Sequence, residues 1–104
     1  MITSKANPIN KNPNQIVITS VFSIDGYPRT VREFFQSYGK TIAMKITSYK
    51  KGCDYYHSQK TYIDKNYWDY STTTGRYRNI YLAEPKRKTY KKIKSGEYIL
   101  ENLN

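Results

Sequence analysis

Apolar and β-branched residues dominate "QIVITSVFSIDG" (15–26), where the run of Ile16, Ile18, Phe22 and Ile24 predicts a strand bent near Ser20. Asp25-Gly26 supplies the turn that ends it. The spacing changes in "YPRTVREFFQSYGK" (27–40). Val31, Phe34, Phe35 and Tyr38 fall at i, i+3, i+4 and i+7, one apolar face of a helix. Thr30 and Glu33 fit a capping box at its start, and Gly39 fits a left-handed stop at its end. "KTIAMKITSYKKG" (40–52) returns to imperfect alternation. Ile42, Met44 and Ile46 oppose Lys45 and Thr47, which predicts a strand closed by a Lys-Lys-Gly turn. "CDYYHSQKTYID" (53–64) reads as two short strands or one bent strand.

A second helix is expected from Thr72 to Ala83, with Ser71 or Thr72 as cap and Pro85 as stop. Tyr77, Ile80, Tyr81 and Glu84 share its face, extended by Thr73. Gly75 weakens it by roughly 1 kcal/mol against alanine. Residues 1–14 are polar, with Pro8 and Pro13 among asparagines, and read as a flexible arm pinned by Ile2 or Ile9. Residues 86–104 read as a basic segment, a Ser-Gly turn, and "EYIL" as a short final strand or half-turn. The expected architecture is α+β. It has a 1–14 arm, then a single 15–104 domain: a small, mostly antiparallel sheet with two short helices packed on one face.

Composition narrows the function. The chain has 104 residues, room for one domain with a modest core. Aliphatic residues are few, and 12 tyrosines must supply much of the packing; so many rings also argue against disorder. The net charge is +10, from 18 Lys and Arg against 8 Asp and Glu, which favours polyanionic or acidic partners. The competing reading is lysine for solubility in an AT-rich genome, where Lys, Asn, Tyr and Ile rise together. The single cysteine, Cys53, excludes an intrachain disulfide and a cysteine-based zinc cluster, and suits a reducing cytoplasm. No stretch is apolar enough to span a membrane, and the N-terminus shows no secretory h-region.

Candidate chemistry concentrates after residue 66. "STTTG" (71–75) offers hydroxyls and free amides at a helix start, followed by Arg76 and Arg78, which could receive an anion. The spacing is not that of a P-loop, and an ordinary cap is the stronger reading. Between residues 76 and 94 stand eight cations: Arg76, Arg78, Lys86, Arg87, Lys88, Lys91, Lys92 and Lys94. Glu84 is the one carboxylate among them. Tyr77, Tyr81 and Tyr90 interleave. Cations for a phosphate backbone and rings for bases are the ingredients of single-strand binding; the competing reading is a solvated segment with its tyrosines turned inward. The partner- or nucleic-acid-binding candidates are therefore Arg76, Tyr77, Arg78, Lys86, Arg87, Lys88, Tyr90, Lys91, Lys92 and Lys94. Catalysis finds little support. His57 has no clear paired carboxylate, Cys53 has lysine neighbours but no evident histidine partner, and Asp64 and Asp69 match no metal-ligand spacing. No enzyme, cofactor or metal is expected.

Residues 41–83 resemble a pattern found in small proteins of phages and other mobile elements, W-D/S-Y-S-x-T-T-x-[KR]-[YH]-x-N-x-[FY]-L. The matching residues are Trp68, Asp69, Tyr70, Ser71, Thr73, Thr74, Arg76, Tyr77, Asn79, Tyr81 and Leu82, with Ser48-Tyr49 upstream. The resemblance implies an accessory protein working in the cytoplasm of a bacterial host. It implies stoichiometric inhibition of a host defence nuclease or nucleoprotein, such as a CRISPR effector, in the manner of an anti-CRISPR. The alternative is an accessory protein that binds single-stranded DNA or RNA directly.

Overall fold

The computed structural model describes residues 2–49 and 56–104, Tyr56 and His57 by backbone alone. The elements run β1 (Ile2–Ile9), β2 (Asn12–Ile24), β3 (Tyr27–Ser37), β4 (Lys40–Tyr49), β5 (Tyr56–Asp64), α1 (Thr72–Leu82), α2 (Lys86–Ser95) and β6 (Tyr98–Glu101). The six strands form one sheet in sequence order. Neighbours are antiparallel except β5 and β6, which are parallel because both helices lie in the connection between them. The fold class is α+β, as expected.

Local chemistry explains the meander. The first three connections are two residues long: Asn10-Lys11, Asp25-Gly26 and Tyr38-Gly39. All six residues have positive φ, from 50° to 79°. Paired left-handed residues match the right-handed twist of flanking strands, so each turn sets an antiparallel register.

Two expected elements are corrected here. Residues 27–40 do not form a helix; they form β3 and its turn. The apolar spacing also satisfies a strand buried on both faces. Val31, Phe35 and Ser37 point one way, Phe34 and Gln36 the other, and adjacent Phe34 and Phe35 suit opposite faces of a sheet. Thr30 and Glu33, read as a capping box, pair across strands instead, with Ser48 and Lys45. Gly39 does adopt the left-handed conformation, but in a hairpin. The stretch 1–14, read as a flexible arm, forms β1 and the start of β2. Cross-strand pairing holds it there, from Ile2 opposite Phe22 to Pro8 opposite Ile16.

The core lies on one side of the sheet. Phe35, Ile42, Ala43 and Ile63 are fully buried, joined by Leu82 of α1 and Tyr98 of β6. Tyr67, Trp68, Tyr77, Tyr81 and Ile93 pack against them. Tyr81 stacks on Phe35 with ring centroids 5.3 Å apart, so tyrosine does supply much of the packing. A buried hydrogen bond between the Ser37 and Thr74 hydroxyls, at 2.7 Å, fixes the start of α1 over β3.

Asp64 closes the structure at the end of β5. Its buried carboxylate accepts backbone N–H groups of Asn66 at 3.0 Å, Tyr67 at 2.8 Å and Leu103 at 2.8 Å. It thus ties the turn into the helical region to the segment after β6. The Asn104 side chain continues the closure, pairing with both the N–H and the C=O of Thr41 at 2.8 and 2.9 Å. Burial pushes the Asp64 carboxyl up, but the amides of Leu103, Tyr67 and Asn66, with Asn104, outweigh it and hold the group below its ordinary 3.8. A depressed native value stabilises the fold above the unfolded value, and that stabilisation disappears as pH falls through the native one. Asp64→Asn should therefore lower unfolding free energy by about 2–3 kcal/mol at pH 7. In urea titrations at several pH values, the gap from the parent should narrow below about pH 3.8; a constant gap would show that the charge is not what matters.

Candidate functional site

The segment 66–95 builds both the helical layer and the charged surface, and its cations divide sharply by environment. α1 begins as expected: Ser71 is its cap and accepts the Thr74 N–H at 3.1 Å. It ends at Leu82, with Ala83 left-handed at φ 56°. Its inward side differs from the one expected. Thr74, Gly75, Arg78 and Leu82 are buried and Tyr77 and Tyr81 half-buried, while Ile80 is exposed.

Arg78 is the largest fully buried side chain among the described residues, at 1% exposure. Its guanidinium donates to the Trp68 carbonyl at 2.7 Å, the Asp69 carboxylate at 2.9 Å and the Asn79 side-chain oxygen at 3.0 Å. It also lies 5.1 Å from the centroid of the Trp68 ring. Gly75 passes directly over it: a Cβ there would sit 3.5 Å from one guanidinium nitrogen. Arg78 thus organises the turn before α1, inside the protein.

Asp69 has a second partner, Lys86, at the first turn of α2. Burial pushes its carboxyl up, but Lys86 and Arg78 outweigh that and bring it below the ordinary range. The pocket lined by Ser71, Thr72, Arg76, Arg78 and Lys86 therefore already contains its anion, the Asp69 carboxylate. In this geometry "STTT" is a cap; Arg78 is engaged internally, and Lys86 pairs with Asp69 at the surface.

The basic segment 86–95, to which the sequence reading assigns no helix, is the helix α2. Pro85, two residues beyond the left-handed Ala83, is the cap residue before α2, in extended backbone with φ −74°. Glu84 anchors it. Its carboxylate accepts from the Thr89 hydroxyl at 2.8 Å, Lys92 at 2.7 Å and the Tyr98 hydroxyl at 2.9 Å, joining α2 to β6. Burial raises the Glu84 carboxyl, and the bonds from Lys92, Thr89 and Tyr98 bring it below its ordinary value. The same contact, chiefly the Glu84 hydrogen bond, raises Lys92.

The remaining cations face outward. Arg87, Tyr90, Lys91 and Lys94 recur at i, i+3, i+4 and i+7, and all are exposed, with Lys88 alongside. The stripe is about 10 Å long, roughly the span of three phosphates along one duplex strand. Tyr90 is 48% exposed and carries the Lys94 ammonium 5.2 Å from its ring centroid. Arg76 is exposed on α1, with its guanidinium 5.6 Å from the Tyr77 ring centroid. Tyr77 is half-buried and accepts a bond from Asn12 at 3.2 Å. Lys86, Arg87 and Lys88 occupy the first turn of α2, which carries no acidic residue. The helix dipole disfavours cations there by about 0.3–1 kcal/mol each.

Of the ten candidate residues, Arg87, Lys88, Tyr90, Lys91 and Lys94 share one exposed helix surface. Arg76 is exposed separately on α1; Arg78 is internal; Tyr77, Lys86 and Lys92 are tied to neighbours. Sequence reasoning missed Asp64 and Glu84 as organising residues. An aspartate two residues before a turn asparagine, and a glutamate just before a proline-led helix, are the local signals that point to them. The considerations on Cys53 and on the His57 side chain lie outside the described residues. Among the described residues no three His, Cys, Asp or Glu side chains cluster as metal ligands, and no helix is long and apolar enough to cross a membrane.

The chain matches no protein-family model, no curated protein and no solved structure. Fold and surface together define its class: a small α+β protein presenting a cationic, tyrosine-bearing helix. The division between internal and external cations has a direct check in chemical denaturation. Arg78→Ala should cost about 2–4 kcal/mol, because it removes a fully buried guanidinium that bonds the Trp68 carbonyl, Asp69 and Asn79, and leaves Asp69 with Lys86 alone. Lys91→Ala should change stability by no more than about 0.5 kcal/mol; comparable losses in both would contradict the division.

Proposed function

We propose that the protein works by stoichiometric binding, without catalysis, and that α2 is its working surface. The observation that carries this reading is the exposed stripe of Arg87, Tyr90, Lys91 and Lys94, with Lys88 alongside. Lys86, Arg87 and Lys88 crowd the helix start, where they oppose the dipole. Local electrostatics are unfavourable there in the free protein, and an acidic or phosphate-bearing partner would relieve them. Residues that break a local rule without a structural gain are where a binding role is expected.

The partner is an acidic or nucleic-acid-bearing face of a host defence nuclease or nucleoprotein, and the outcome is inhibition of the anti-CRISPR kind in the bacterial cytoplasm. The resemblance of residues 41–83 to phage and mobile-element proteins supports that setting. The motif residues themselves are mostly architectural here, since Ser71 caps, Thr74 bonds Ser37, Tyr81 stacks and Leu82 is core. One observation favours a second reading, direct binding of single-stranded nucleic acid: Tyr90 stands exposed among cations, where a base can stack.

Affinity capture from a bacterial host lysate, with and without nuclease treatment, separates the two. Under inhibition, a host protein is retained after nuclease treatment and is lost with the Arg87→Ala/Lys91→Ala/Lys94→Ala variant. Recovery of nucleic acid alone, released by salt, supports the second reading. For that reading the triple variant should reduce the slope of log K against log[salt] by about 2. Equal capture by parent and triple variant would remove α2 from the account.

A further inference from the structure

The helices leave one face of the sheet uncovered, and the central row of that face is apolar. Cross-strand register aligns Ala6, Ile18, Phe34, Met44, Tyr62 and Ile99 in a single row across all six strands. Phe34 and Phe35 are adjacent on β3. Phe35 faces α1, so this row faces the other way. All of its members are at least partly exposed. Ile16 and Ile46 extend it on either side, and exposed Phe22 and Ile2 stand at one end, around an open depression that also includes Ser20, Thr30 and Arg32.

A solvated antiparallel face normally carries polar side chains at alternate positions. Here the alternation is lost: both parities are apolar through the middle of the sheet, the pattern of a strand covered on both sides. We propose that a second copy of this chain covers the face, giving a two-fold dimer with sheet packed on sheet and α2 outermost on both subunits.

Two observations favour a second copy over other occupants. The first is size. Six strands spaced about 4.8 Å apart, along about 30 Å of strand, present roughly 700 Å², close to the ~800 Å² per partner of a stable interface. The second is charge. The chain carries 18 Lys and Arg, yet the apolar row contains none, and the next row, Ser4-Ser20-Arg32-Ile46-Lys60, contains two. A face with so few cations suits neither nucleic acid nor an acidic partner, whereas an apolar row centred on the sheet can pair with itself across a two-fold axis. Aligned sheet packing places two such rows about 10 Å apart, with their side chains interdigitating.

Sedimentation velocity in high salt, over about 1 to 100 µM, tests this directly. The parent should reach twice the 12.3 kDa chain mass at the upper concentration. Phe34→Lys should raise the dimer dissociation constant at least tenfold. Ser20→Lys adds charge to the same face without removing any apolar group, so it should weaken the dimer even if Phe34→Lys fails to fold. The Arg87→Ala/Lys91→Ala/Lys94→Ala variant should remain dimeric, which keeps this outcome separate from the role of α2. A parent that stays monomeric at about 100 µM, a dimer unchanged by a folded Ser20→Lys variant, or one abolished by the α2 substitutions would each overturn the proposal.

Discussion

Three carboxylates hold the helical layer on the sheet, and much of the structure follows from how they are used. Asp64 gathers three backbone amides at the end of β5. Asp69 joins Arg78 of α1 to Lys86 of α2. Glu84 joins α2 to β6 through Thr89, Lys92 and Tyr98. The chain has only 8 acidic residues, so those three are a large share of its negative charge; Asp64 and Glu84 are turned toward the interior, and Asp69 stays partly exposed between its two partners. Among the described residues most lysines and arginines pair with none of these three carboxylates. The cationic surface on α2 is thus partly a consequence of how the fold is fastened. It also explains why Arg78 and Lys92, indistinguishable from their neighbours in sequence, do different work: each faces one of the anchoring carboxylates.

The scarcity of aliphatic residues shapes the rest. Among the described residues six apolar side chains form the buried core, and half-buried rings complete it. A sheet of six strands has more apolar surface than two short helices can cover. The helices take the side carrying Phe35, Ala43 and Ile63, and the row through Phe34 and Met44 is left on the other. A dimer through that row would place two cationic helices on opposite outer surfaces. A partner with repeated acidic or phosphate groups would then meet two sites, with the gain in effective affinity that linkage brings.

Some of this was legible in the chain. α1 carried its own start signal in Ser71 and its own limit before Pro85, and both hold because capping is local chemistry. The Asp25-Gly26 turn and the left-handed Gly39 were readable for the same reason. β3 was not, because Val31, Phe34, Phe35 and Tyr38 satisfy helical spacing and a doubly covered strand equally well. Only pairing with β2 and β4, which is nonlocal, decides between them. β1 was hidden for a related reason: it is polar and exposed, and it exists through its backbone ladder rather than through burial. The basic segment could be read as charge but not as surface. Its division into an anchoring residue, Lys92, and an exposed stripe depends on Glu84 and Tyr98, which approach it only after the chain has folded.

Carboxyl-detected NMR titration of Asp64, Asp69 and Glu84 tests the central role of these groups most directly. All three should titrate below their ordinary values of 3.8, 3.8 and 4.5, and the amide signals of residues 86–95 should shift together with Glu84. Carboxyls that titrate at ordinary values, with α2 unaffected as Glu84 is protonated, would contradict the account.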